Sequence, residues 1–136
     1  MDKINREQAE REITGWLDKK KITDRLREEN KDNVSLLIDA VCDGQLIVNA
    51  DTKDGDVAYG LTQKLLFPLG EEKELTYLLR INYKHLNQYM QGVKGDNFLG
   101  MITAYVCALT RQNRNVVDSL DTTDRRVANA IAVFFM

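Results

Sequence analysis

The stretch LTQKLLFPLGEEKELTYLLRI, residues 61–81, constrains the fold more than any other, because the apolar period changes where it ends. Tyr59, Leu61, Leu65, Phe67 and Leu69 occupy alternate positions, interrupted by Gln63. After the loop GEEKE, Leu75, Tyr77, Leu79 and Ile81 alternate again. Two period-2 runs around a glycine-containing loop specify an antiparallel hairpin, since successive strand side chains point to opposite faces. Pro68 has no N–H to give to a ladder and is expected near a strand end or on an edge. Two strands alone are marginal in water, so helices must cover this hairpin. QLIVNA, between Gly44 and the turn-rich DTKDGD, is expected to add a third strand.

On both sides of the hairpin the period is helical. From Arg6 to about Lys21, Ala9, Ile13, Trp16 and Leu17 share one face, with Gly15 a local weakness. Thr23 is expected to cap a short charged helix anchored by Ile22 and Leu26. Asp32 or Asn33 is expected to cap the next, in which Val34, Leu37, Ile38 and Val41 recur at i, i+3, i+4 and i+7 before Gly44 supplies a left-handed stop. Beyond Ile81, Tyr83, Leu86, Tyr89 and Met90 make a stripe ended by QGVKGDN. Asp96 is then expected to cap a helix with Phe98, Met101, Ile102, Tyr105 and Leu109 on one side and Ala104, Val106, Cys107 and Ala108 on much of the rest. A helix apolar nearly all round is expected at the centre of the fold. Asn115 is expected to cap a short turn burying Val116, Val117 and Leu120. Asp121, with Asp124 three residues on, starts the last helix, whose Val127, Ala130, Ile131 and Phe134 face inward. The expected fold is therefore α+β and mostly helical, one domain over 1–136. Its parts are a helical 1–44, a small antiparallel sheet (a hairpin or three strands) at about 45–81, and a helical bundle over 82–136.

A chain of 136 residues can bury a core without disulfides or a structural metal. Lys+Arg 19 against Asp+Glu 21 gives a net charge of -2, which removes any global pull toward nucleic acid or anionic lipid. Cys42 and Cys107 lie far apart inside apolar patterns and read as small buried hydrophobes of a reducing compartment. Residues 1–15 are highly charged, unlike a cleavable secretory signal, and no apolar run approaches the roughly 20 residues of a membrane helix. The chain is read as soluble and cytoplasmic.

Chemistry-bearing residues do not assemble into a site. His85 has no second ligand at metal spacing and reads as structural. Aligning DTKDGD with a calcium loop puts Ala50 and Thr52 where carboxylates are needed and Leu61 where the closing glutamate belongs, so it reads as a turn. Gly92, Gly95 and Gly100 are not in phosphate-loop order. Lys19, Lys20, Lys21, Arg25 and Arg27 are interleaved with Asp18, Asp24, Glu28 and Glu29, the pattern of a solvated face. TRQNRN with Arg125 and Arg126 forms a second, smaller basic group. No catalytic, cofactor or metal residue is assigned, and a non-enzymatic protein is expected.

AVFFM places Phe134, Phe135 and Met136 at the last positions given, where sequences are usually polar. Either this turn is clamped in the core, or part of it waits for a partner, as contiguous exposed apolar surface often does.

The order of elements resembles the tail assembly chaperones of long-tailed bacteriophages and prophages. The likeness runs through the hairpin LTQKLLFPLG…KELTYLLRI, the helix NYKHLNQYM, the alanine-rich DNFLGMITAYVCALT, the step VVDSLDTTD and the terminal VANAIAVFF, about residues 58–135. The resemblance implies a protein without cofactors that works in the host cell cytoplasm. There it would bind the long, coiled-coil-prone tape measure protein, keep it soluble and help tail tube protein polymerise around it. Members are often made in a short form and a longer, frameshifted one. A helical client presents apolar anchors at i, i+3 and i+4, and adaptable methionine and aromatic side chains suit such a surface. Tyr83, Tyr89, Met90, Phe134, Phe135 and Met136 are the candidate partner-binding group. The sequence also admits a small helical nucleic-acid-binding or regulatory module, with Trp16 stacking on a base beside Lys19, Lys20, Lys21, Arg25 and Arg27, or a structural head-tail connector. Residues 1–50 lie outside the resemblance and are either a helical layer on the hairpin or a separate partner-binding arm.

Overall fold

The computed structural model describes residues 3–49, 53–54 and 57–136. The chain is α+β and mostly helical, with N-terminal helices, an antiparallel sheet and C-terminal helices in that order. The first part holds α1 (Arg6–Lys19), α2 (Asp24–Glu29) and α3 (Lys31–Cys42). Strands β1 (Leu46–Val48), β2 (Lys53–Asp54), β3 (Val57–Leu69) and β4 (Glu72–Leu78) follow. The last part holds α4 (Tyr83–Asn87), α5 (Phe98–Thr110), α6 (Arg114–Asp118), α7 (Thr122–Ala132) and a 3-10 turn (Val133–Phe135).

β3 is the spine of the sheet. It pairs antiparallel with β4 from Tyr59↔Leu78 to Leu69↔Glu72, and with β1 through Leu46↔Gln63 to Val48↔Leu61. The two-residue β2 pairs with its first residues. Leu46, Leu61, Leu65, Leu75 and Tyr77 turn inward, as the alternation requires. On the other face Lys64 pairs with Glu74, and Asn49 bonds Thr62. DTKDGD falls mostly outside the described residues.

The helices bury the stripes their spacing specifies. Ala9, Ile13, Trp16 and Leu17 of α1, Leu37, Ile38 and Val41 of α3, and Val127, Ala130 and Ile131 of α7 join Phe134 and the inward sheet residues in one hydrophobic cluster. α5 is central: from Ile102 to Thr110 only Tyr105 is not buried. α3 packs on α1 and α7, and α5 packs on α7 and β4. Thr23 caps α2 by accepting from the Leu26 N–H, Asp121 caps α7 through the Thr123 N–H, and Gly44 takes φ 78 after α3.

Several expectations are corrected. α3 begins at Lys31, so its N-cap is Asn30 and neither Asp32 nor Asn33. Asn97 in place of Asp96 caps α5, accepting from Gly100 N–H, and Asn113 in place of Asn115 caps α6, accepting from Val116 N–H. In the last two the capping side chain is the amide three residues before the N–H it bonds, one position downstream of the residue expected for α5 and two upstream for α6. Leu26 is 41% exposed and Phe98 51%, so neither is an anchor. Phe67 leaves the apolar face and is 53% exposed, because β3 and β4 shift register between Lys64 and Leu69 and the alternation breaks there. Gln63 does not interrupt that face but belongs to it. It is buried, accepting from the Tyr77 hydroxyl at 2.5 Å and donating to the Asp124 carbonyl at 2.9 Å.

Candidate partner-binding site

A groove of about 430 Å³ lies between the segment that follows β4, α4, α5 and the C-terminal turn. Its walls are Ile81, Asn82, Tyr83, Leu86, Tyr105, Phe135 and Met136. Asn82 sets the geometry: its side chain accepts from the His85 N–H, which starts α4 and projects Tyr83 outward at its first position. Tyr83 is 78% exposed, while Leu86, one turn on, is buried beneath it. The Tyr105 phenol is pushed above its ordinary range by burial and then by neighbouring Tyr83, so the two rings share the opening.

The opposite wall is the C-terminal turn. Phe134 points into the core, edge-on to Trp16 with ring centroids 5.9 Å apart. Phe135, at 6.2 Å from the same indole, is half-buried and faces the groove, and Met136 is 45% exposed beside it. AVFFM is thus divided: Phe134 is clamped, and Phe135 and Met136 form a surface. Lys20 lies across Phe135 with Nζ 3.2 Å from the ring centroid. Burial, and then the nearby Arg80 guanidinium, hold its ammonium down to about 8.

Of the six residues expected to meet a partner, the groove brings together Tyr83, Phe135 and Met136. Phe134 is core. Tyr89 stacks edge-on against His85, whose Nε2–H donates to the Ala108 carbonyl at 2.8 Å, and with half-buried Met90 it does not line the groove. Ile81, Leu86 and Tyr105, which periodicity assigns to strand and helix packing, line it as well. Their exposed edges appear only once β4, α4 and α5 are assembled.

Two other grooves contain none of the six. A larger one of about 600 Å³ between α1, α3 and β1 is lined by Ile4, Glu12, Val41, Leu46, Ile47 and Lys64, among others. The other, about 410 Å³, gathers Asp32, Asp39, Asp43 and Arg126. The basic groups are mostly engaged. Arg27 pairs with Asp18 at 2.8 Å and Arg25 with Glu29 at 3.8 Å. Arg125 joins α5 and α7, donating to Thr103 Oγ1 at 2.5 Å and Asn129 Oδ1 at 2.8 Å. Trp16 is 2% exposed and cannot stack on a base.

Among the described residues no three His, Cys, Asp or Glu side chains gather as a metal-binding group, and no helix is long and apolar enough to cross a membrane. Comparison of the chain with protein-family models, curated proteins and solved structures finds no match.

Proposed function

We propose that this protein is a non-enzymatic chaperone of phage tail assembly, which holds a segment of the tape measure protein in the Tyr83–Phe135–Met136 groove. The observation that carries the reading is the meeting of Tyr83 with Phe135 and Met136, far on in the sequence, in one groove whose walls also include Ile81, Leu86 and Tyr105. The resemblance in element order supplies the identity of the client. A groove lined by side chains from α4, α5 and the C-terminal turn offers no strand edge, so it suits the i, i+3, i+4 anchors of a helix.

Co-expression with the tape measure protein encoded nearest its gene tests the proposal. The expected result is a soluble client that co-purifies with the chain. A client that stays insoluble and unbound overturns it.

A further inference from the structure

We infer that the groove selects an apolar helical segment carrying acidic side chains beside its apolar stripe, its carboxylates meeting Lys20, Arg80 and Lys84. This rests on the client-binding reading above and adds the chemistry of the segment.

None of the seven lining side chains is acidic. Lys20 covers Phe135, Arg80 precedes Ile81 and lies close enough to Lys20 to disfavour its charge, and exposed Lys84 follows Tyr83. Among the described residues none of these three cations has a carboxylate within ion-pair distance, whereas Arg6, Arg25, Arg27, Lys64 and Arg114 each have one. Asp18, the acid nearest Lys20 in sequence, is taken by Arg27 at 2.8 Å.

Cations without a carboxylate partner, Lys20 half-buried and Arg80 and Lys84 exposed, repel one another and attract an anion. A carboxylate arriving there relieves the Lys20–Arg80 repulsion and gains charge-assisted hydrogen bonds. A basic segment meets the same rim as repulsion, so the rim works mainly by discrimination. Because no strand lines the groove, an extended segment finds no main-chain partners.

Trp16, the sole tryptophan, lies under Phe135 and reports occupancy by its emission. The probes are two synthetic amphipathic helical peptides with the same leucine stripe, one flanked by glutamates and one by lysines, titrated into the full chain. The glutamate peptide is expected to bind at least about tenfold more tightly, a difference that shrinks with added salt. The double variant Lys20→Glu, Arg80→Glu is expected to reverse the preference, and Tyr83→Ser to weaken both peptides. Lys84→Glu, on an exposed helix position, carries the charge test if the double variant does not fold. Equal binding of the two peptides, or glutamate-peptide binding indifferent to Tyr83→Ser, overturns the inference. A tape measure client held equally by the wild type and the charge-reversed variant leaves the chaperone reading standing and sinks this one. Capture of the glutamate peptide with refusal of the client does the reverse.

Discussion

At Asp124 a carboxylate only 2% exposed accepts the N–H of Leu66 at 2.9 Å and of Phe67 at 3.0 Å, where β3 slips its register against β4. The slip leaves these N–H groups without strand partners, and a buried donor with no acceptor costs about 1–3 kcal/mol. Asp124→Ala is therefore expected to lower stability by about 2–4 kcal/mol, and Asp124→Asn, which keeps one acceptor oxygen, by less. Urea unfolding reads both, and an Asp124→Ala midpoint equal to the wild type would contradict the assignment. In the sequence Asp124 reads as a helix-start signal three residues after Asp121. Its partners are 57 and 58 positions away, a separation that local pattern cannot register. Gln63 is hidden for the same reason: its polarity looks like an interruption until Tyr77 and Asp124 arrive beside it. Thr23, Gly44 and Asp121, which act on their own turns, are legible.

Among the elements, helix faces were readable and helix starts less so, because burial follows a periodic stripe while a cap depends on one φ/ψ choice that neighbouring Asp and Asn residues compete for. The seam between α1, β3 and the C-terminal turn was not readable, since it depends on how closely they approach. Gly60 of β3 lies against it: a Cβ there would sit 3.1 Å from Leu79 Cδ1 and 3.2 Å from Trp16 Nε1. Trp16 Nε1 is buried without a hydrogen-bond partner, so the indole is held by packing alone. Gly60→Ala is expected to push the indole off Phe134 and cost about 1–3 kcal/mol. The measurement is thermal unfolding followed by Trp16 emission. A variant with unchanged melting and emission would mean that the seam has slack.

On the scale of the whole molecule, the candidate groove was partly legible. Tyr83, Phe135 and Met136 stand out as apolar residues at helix and chain ends, whereas the Lys20 and Arg80 rim comes from distant segments that only the fold brings together. That rim bears on the role of the N-terminal helices. α1 is not an arm: Ala9, Ile13, Trp16 and Leu17 share one cluster with Leu61, Tyr77, Ile131 and Phe134, and Trp16 backs the Phe135 wall of the groove. Removing residues 1–44 would expose Leu61, Ile131 and Phe134 and leave Phe135 unsupported. Each buried side chain of that size contributes about 1.5–3 kcal/mol, against a total stability of about 5–15 kcal/mol. The remaining 45–136 is therefore expected to show no cooperative unfolding transition and to bind an apolar dye, and to lose the groove with its fold. Circular dichroism melts and dye fluorescence on the truncated chain check this. A cooperative melt would instead make the sheet and C-terminal helices self-sufficient, and would reduce α1 to a cover that the groove can do without.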